Sequence, residues 1–367
     1  MQWLLLIILA PYVWFLLKIW RGLLRIRPYN HGTRLAPASV IVACRNEQDN
    51  LPVLLGDIAS QDFNSDAFEL IIVDDNSTDL TFETAARFAG IKNLKVIRNS
   101  GTGKKDAIRT GVEASQFKLV ITTDADCRIG SLWLRTISSF FAENDAEMII
   151  CPVIQESGIS GRFQDLEFLA LQGVTAGAAM SGDPVMCNGA NLAFSREAYA
   201  RHSRDLKSRI ESGDDIFLLH SMKKERLRIL WLESDKARAK TKGAPSGLSL
   251  LRQRSRWISK AGSYSDTSTI TLALSVFAAV LLQAGLLIAV ISDPSVYLPV
   301  FLTAFIIKSV PDYLIIRHTA ERYGRKELLK WFVPSQLVYP FYVIAVILFP
   351  RGRWKHDTIS YPSPTGI

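Results

Sequence analysis

The sequence predicts an α/β fold with a mostly parallel central sheet, tied to a membrane by one N-terminal and two to three C-terminal transmembrane helices. Three observations predict it. Short β-branched runs alternate with helical patterns from Ala38 to about Ser234, acidic residues close two of those runs, and long apolar stretches occupy both ends of the chain.

The N-terminal stretch comes first. Trp3 to Trp20 is nearly unbroken apolar sequence, flanked by Lys18, Arg21, Arg25 and Arg27. It is long enough to span a bilayer, no basic region precedes it and no small-residue cleavage site follows, so it reads as an uncleaved anchor rather than a signal peptide.

The alternating region follows. Ser39 to Ala43, Glu69 to Val73, Leu94 to Ile97, Lys118 to Thr122 and Glu147 to Ile150 carry the β-branched, apolar composition of buried strands. Helical patterns near Asn50 to Ser60, Leu80 to Phe88, Lys105 to Ala114 and Ser131 to Phe141 separate most of them, which gives βα units. After Pro152 the alternation lapses. Arg162 to Met180 predicts a helix, Arg228 to Leu232 a strand, and Leu248 to Lys260 an amphipathic helix just ahead of the membrane.

The C-terminal region holds three more stretches of spanning length, Thr269 to Ile291, Tyr297 to Ile316 and Trp331 to Phe349. Lys308, Pro311 and Asp312 interrupt the second, and Pro334 and Pro340 the third; interruptions of this kind face protein or water rather than lipid. Basic residues after the first stretch, with Arg317, Arg322, Arg325, Lys326 and Lys330 between the last two, place the middle of the chain in the cytoplasm, as for a bacterial inner-membrane protein. A last span that crossed would send Arg351, Arg353 and Lys355 outward against the same rule. One of the interrupted segments is therefore expected to be re-entrant or interfacial.

Composition narrows the function. With 48% hydrophobic and 21% charged residues and a net charge of +8, much of the basic surplus flanks apolar stretches, where it sets orientation and attracts membrane lipids; nucleic acid is not an expected partner. Cys44, Cys127, Cys151 and Cys187 stand singly in or beside apolar runs, and five histidines are scattered, so neither a disulfide framework nor a zinc site is expected.

The acidic residues suggest chemistry. Asp74 and Asp75 close one apolar run, and Asp124 and Asp126 another. In an open α/β sheet the ends of parallel strands border the ligand crevice. Asp75 to Asp79 is also consistent with a plain turn and helix cap. Asp124 and Asp126, one residue apart, suit a hard divalent cation bridging a diphosphate, Mg²⁺ or Mn²⁺. Gly101-Thr-Gly-Lys104 lacks the full phosphate-loop spacing, yet a lysine opening a helix suits a diphosphate. Asp214 and Asp215 open another predicted helix as caps or as a general base. Gln253, Arg256 and Trp257 lie on the amphipathic helix, either as an interfacial surface or as the entrance of a site.

Taken in order, these motifs resemble the membrane-bound family 2 glycosyltransferases, the group of ceramide glucosyltransferase and of chitin oligosaccharide, hyaluronan and cellulose synthases. The resemblance covers about Ala38 to Gly262 and the flanking helices, and its specificity lies in the combination. It implies a GT-A catalytic domain that uses a nucleotide-diphosphate sugar, a UDP-sugar in the first instance. By the resemblance Ala43, Arg45, Glu47 and Asp75 hold the nucleotide, Lys104 lies near the diphosphate, and Asp124 and Asp126 match Asp-x-Asp with Asp126 as principal metal ligand. Asp215 matches the base that ends the family's Glu-Asp or Asp-Asp motif, preceded here by Asp214, and Gln253, Arg256 and Trp257 match Gln-x-x-Arg-Trp. Asn188, Gly189 and Asn191 look like the acceptor loop. One departure stands out: Arg109 occupies a place where the family often has Asn.

The implied activity is an inverting transfer to a membrane-associated acceptor, with a lipid acceptor first and a processive polysaccharide or oligosaccharide synthase as the alternative. A protein that binds nucleotide sugar without catalysis, or a small transporter lined by Lys308 and Asp312, is the reading of a different class. The expected organisation is an anchor over 1–27, a catalytic domain over 38–246, an interfacial helix over 247–266, a membrane region over 267–350 and a tail over 351–367.

Overall fold

The computed structural model describes residues 2–158, 161–203 and 213–349. Ser212, the tail over 351–367 and its Arg351, Arg353 and Lys355 lie outside the described residues.

A 3-10 run, Gln2–Leu9, leads into α1 (Ala10–Leu23). The α/β domain follows with β1 (Ala38–Cys44), α2 (Leu51–Ala59), β2 (Phe68–Asp74), α3 (Thr81–Ala86), β3 (Leu94–Arg98), α4 (Lys104–Ala114), β4 (Leu119–Asp124), β5 (Arg128–Ile129), α5 (Trp133–Asn144), β6 (Met148–Ile150) and β7 (Val153–Glu156). It continues with α6 (Arg162–Met180), β8 (Asn191–Ser195), α7 (Arg196–His202), α8 (Asp214–Lys224), β9 (Ile229–Trp231), β10 (Ala239–Lys242) and α9 (Gly247–Ile258). Three long helices close the described chain: α10 (Thr267–Ser292), α11 (Pro294–Tyr323) and α12 (Phe332–Leu348).

The main sheet has the order β3-β2-β1-β4-β8-β6-β9. β3, β2, β1 and β4 are parallel, and β8 runs against both β4 and β6. The order reverses between β1 and β4, which opens a crevice at their carboxyl ends. Register fixes its floor: Ala43 lies opposite Val73 and Asp124, and Cys44 opposite Asp74. β1 and β2 are almost wholly buried, because helices cover both faces of the sheet.

β8 takes Asn191 out of the expected acceptor loop and into a strand. Asn191 at its start favours a turn locally, and only pairing on both edges overrides that preference. A second, three-stranded sheet, β5-β10-β7, was equally hidden, since strands of two to four residues carry almost no periodicity.

One face of the main sheet buries Ile41, Ile71, Val73 and Val120 in a core that continues without a break into α1, α10 and α11. α6 makes that junction. A Cβ on Gly22 of α1 would lie 2.0 Å from the Gly177 carbonyl oxygen of α6, and one on Gly177 would lie 2.4 Å from the Ile19 carbonyl oxygen. Only glycine at both positions lets the two backbones touch.

Four helical stretches, Gln2–Leu23, Thr267–Ser292, Pro294–Tyr323 and Lys326–Leu348, are long and apolar enough to cross a membrane. Lys308 and Asp312 are buried and paired: Lys308 Nζ donates to Asp312 Oδ2 at 2.9 Å and to Gln336 Oε1 at 2.8 Å, and the Tyr12 hydroxyl donates to Asp312. Gln283 Nε2 donates to the Gln336 carbonyl at 2.9 Å, so the cluster ties α1, α10, α11 and α12 together. Charges in a lipid-facing bundle are tolerated on such terms. The arrangement is that of a lock between helices, not of a lined path.

The two ends of α12 meet the same side of the molecule. Ahead of it, Arg325 pairs with Asp165 of α6 at 3.1 Å and donates to the Gln155 carbonyl at 3.1 Å. Within its second half Tyr342 donates to Glu167 of α6 at 3.2 Å, and at its far end the Phe349 carbonyl accepts from Ser255 of α9 at 3.2 Å. This geometry predicts a re-entrant or in-plane α12. A reporter fused after Ile367 should then report the side of the α/β domain, while one inserted between α10 and α11 reports the opposite side. Agreement between the two reporters would mean that α12 crosses.

Candidate active site

Hydrogen bonds between loops build the crevice from the strand ends. After β1, Asn46 N donates to Ser77 Oγ at 3.0 Å, Glu47 N to Thr81 Oγ1 at 2.8 Å, and Asn46 Oδ1 accepts from Thr78 N at 2.9 Å. The segment after β2 is thus laced to the one after β1, and Asp79 Oδ1 also accepts from Thr81 N at 3.0 Å. The stretch is therefore a turn at the crevice wall, while α3 itself starts after Leu80 with no side-chain cap.

Asp75 is fully buried. Its carboxylate accepts from Asn99 Nδ2 at 2.7 Å and from Gly103 N at 2.9 and 3.0 Å, with Arg45 Nη1 at 3.9 Å. Gly103 has φ of +94°, which places its N–H toward Asp75 just before Lys104 opens α4. Asp75 thus shapes the loop that presents Lys104. Glu47 Oε2 accepts from Asn50 Nδ2 at 2.8 Å.

Lys104 turns from the start of α4 onto Asp124 at the end of β4 and forms an ion pair with it. Burial would lower the lysine, but Asp124, Asp214 and Asp215 together hold it above its ordinary value. Asp126 is pushed up to about 6, first by burial and then by the charges of Asp124 and Glu47. A carboxylate raised in this way gains most from a nearby cation. The oxygen-only donors of Asp124 and Asp126 are of the type that suits a hard divalent cation such as Mg²⁺ or Mn²⁺. Among the described residues, no group of three or more His, Cys, Asp or Glu side chains is gathered to hold an ion unaided.

Opposite them, Asp215 Oδ2 accepts from Gly189 N at 3.1 Å and Oδ1 from Ile216 N at 2.8 Å, at the first turn of α8. The Gly189 carbonyl accepts from Thr122 Oγ1 of β4 at 2.9 Å. A Cβ on Gly189 would lie 3.7 Å from Asp215 Oδ2 and 3.9 Å from Lys104 Nζ. Asp214 is raised by burial and by its neighbour Asp215. Arg256 of α9 is half-buried; desolvation lowers it from its ordinary value, and Asp124, Asp215 and Asp214, in that order, act against that shift. Residues from four distant stretches of chain converge on one acidic and basic cluster.

Two expected residues, Asn191 and Asn188, have other duties. Asn191 is wholly buried: its Oδ1 accepts from Trp133 Nε1 at 3.0 Å and its Nδ2 donates to the Pro152 and Ala237 carbonyls, each at 2.8 Å. Its amide is spent on the sheet, while Asn188 Oδ1 accepts from Ala190 N at 3.0 Å within the turn. Arg109, the departure from the family pattern, pairs with Asp106 at 2.8 Å on the outer side of α4. Cys44, Cys127 and Cys151 are buried and Cys187 is half-buried, each with a free thiol.

Sequence reasoning passed over Lys260, whose charge acts on Asp214 and Cys187 and whose stem crosses Gly213. Its spacing from Arg256, one helical turn, was the available signal.

Residues 39–202 match the family model described as Glycosyl transferase family 2. The chain is 31% identical over 127 residues to poly(ribitol-phosphate) beta-N-acetylglucosaminyltransferase TarS of Staphylococcus aureus, covering 34% of this chain and 22% of that protein. It is 37% identical over 100 residues to undecaprenyl-phosphate 4-deoxy-4-formamido-L-arabinose transferase of Aeromonas hydrophila, covering 26% and 31%, and 30% identical over 107 residues to beta-monoglucosyldiacylglycerol synthase of Nostoc sp., covering 28% and 23%. The matched part thus spans under a third of each of these relatives. The mannosyltransferase PcManGT from Pyrobaculum calidifontis, solved with GDP-Man and Mn²⁺, superposes with a TM-score of 0.54 over 94% of this chain and 97% of that one, at 19% identity, a likeness of fold.

Proposed function

The chain carries a glycosyl transferase family 2 domain over residues 39–202, and from that premise we propose that it moves a sugar, with inversion, from a nucleotide-diphosphate sugar to a membrane-associated lipid. The observation that carries this reading is the convergence of Asp124, Lys104, Gly189, Asp215 and Arg256 at the carboxyl ends of β1 and β4.

The nucleotide lies over the strand ends beside Ala43, Arg45 and Glu47, with Asp75 holding the loop that delivers Lys104. Lys104, at the N-terminus of α4, and Arg256 meet the diphosphate, where negative charge grows as the sugar departs. Asp126 and Asp124 would hold Mg²⁺ or Mn²⁺, which would add charge stabilisation to the leaving group. Asp215 takes the proton of the acceptor hydroxyl, which attacks the anomeric carbon from the face opposite the leaving diphosphate. An α-linked donor then yields a β-linked product.

A lipid acceptor is supported by the four helices, long and apolar enough to cross a membrane, that flank the α/β domain in the chain. Two of the relatives are named for lipids, one for undecaprenyl phosphate and one as a synthase of beta-monoglucosyldiacylglycerol. The domain is assigned to 38–246 and to the cytoplasmic side, with 247–266 lying at the bilayer surface.

Membranes carrying the chain, incubated with labelled UDP- and GDP-sugars and Mn²⁺, should place label in the organic extract, and chelation should remove it. Label confined to a high-molecular-weight fraction would favour a polysaccharide synthase, and turnover of no donor would overturn the reading.

A further inference from the structure

Arg254 sits inside the Gln253 to Trp257 motif at a position that no motif role covers, and it is 4% exposed. Its guanidinium uses three sides. Nε and Nη2 grip Glu167 of α6 at distances of 2.8 to 3.2 Å, Nη1 donates to Gln253 Oε1 at 2.7 Å, and the plane lies 4.1 Å from the centre of the Trp257 ring. Glu167 is held in turn by the Tyr342 hydroxyl of α12.

We propose that Arg254 and Glu167 form a positioning pair that fixes Gln253 and Trp257 for sugar transfer and passes the placement of α6 to the motif helix. The proposal rests on the transferase reading above.

The physical case is one of geometry. α9 is amphipathic and short, and its inward residues Arg254 and Ser255 are its polar anchors to the rest of the molecule. Gln253, one turn from Trp257, would keep rotamer freedom without a rigid partner, and Trp257, packed against the core of the α/β domain on one side, would lose the plane stacked on its ring. A planar guanidinium supplies that partner, since one edge can be held by a carboxylate while the other edge and the face orient two neighbours. α6 is itself fixed by the Gly22–Gly177 contact, so the pair links the membrane junction to the site. A lysine would keep the charge but could not form the fork and the stack together.

The test compares Arg254→Lys, Glu167→Gln and the double Arg254→Gln/Glu167→Gln in the full chain, in detergent. kcat and KM are measured with the active donor, thermal midpoints are recorded, and acrylamide quenching of Trp257 is taken as the difference between each variant and its own Trp257→Phe counterpart. Arg254→Lys should lower kcat by roughly tenfold or more with little change in donor KM, because misplaced groups cost rate. Trp257 should become about twice as quenchable with the thermal midpoint unchanged, and the double variant should be no worse than the worse single, since the two side chains act as a unit. Wild-type kcat and quenching in Arg254→Lys would overturn the proposal. So would losses that follow a falling thermal midpoint without a change at Trp257. If the wild type transfers no sugar, the transferase reading fails, and Trp257 quenching alone then decides the positioning role.

Discussion

Replacing Asp215 by Asn is expected to lower the transfer rate by roughly 10²–10⁴-fold while leaving the fold and nucleotide binding in place. The carboxylate does two jobs. Oδ2 accepts from Gly189 N and Oδ1 from Ile216 N, which joins the turn at Gly189 to α8, and the proposed reaction asks the same carboxylate to act as base. An amide oxygen can still accept one of those hydrogen bonds, which preserves the turn, but the amide cannot take a proton. The loss should therefore fall on kcat. Single-turnover measurements with preloaded donor check it, alongside calorimetric binding of UDP. Activity within tenfold of wild type would remove Asp215 from the base role, and loss of UDP binding would mean that the substitution had disturbed the site rather than the proton transfer.

Gly177→Val is expected to cost about 3 kcal/mol or more and to undo the docking of the α/β domain on its membrane helices. The added Cβ would meet the Ile19 carbonyl oxygen at 2.4 Å, backbone against which no rotamer change gives relief. α6 also packs Gly173 against Thr319 and Ile315 of α11, so it has no room to slide. Gly56→Ala on α2 is the matched control: nothing lies within 4 Å of its Cβ, and a better helix former there should be neutral or slightly stabilising. Fluorescence-detected size exclusion and thermal midpoints in detergent compare the two. A folded, monodisperse Gly177→Val with a wild-type midpoint would show that α1 and α6 do not rely on this contact.

Much of the α/β domain was legible because its signals are local. Five β-branched runs, the helices between them and four long apolar stretches announce themselves through composition and period, and each became the expected element within a residue or two at most ends. Asp124, Asp126 and Asp215 were legible as candidates because acids at a strand end or a helix start are conspicuous. Their chemical roles were not, since a cap and a base look alike in sequence.

What stayed hidden depends on partners far along the chain. β8 looked like a loop until β4 and β6 flanked it. Asn191 looked like part of an acceptor loop, yet Trp133, Pro152 and Ala237 take its whole amide. Arg254 was an unassigned letter inside a motif until Glu167, 87 residues away, closed on it.

The sequence by itself determined the α/β class, the four apolar helices, and which acids and bases stand ready at strand ends and helix starts. Tertiary structure alone decided which of them meet: Lys104 on Asp124, Asp215 under Gly189, Asp75 turned inward to shape a loop, and both ends of α12 held to one face. The reason is physical. Periodicity and capping act over a few residues and are written in neighbouring letters, whereas a carboxylate's partner is set by backbone placement and burial, which the chain acquires only when distant segments pack.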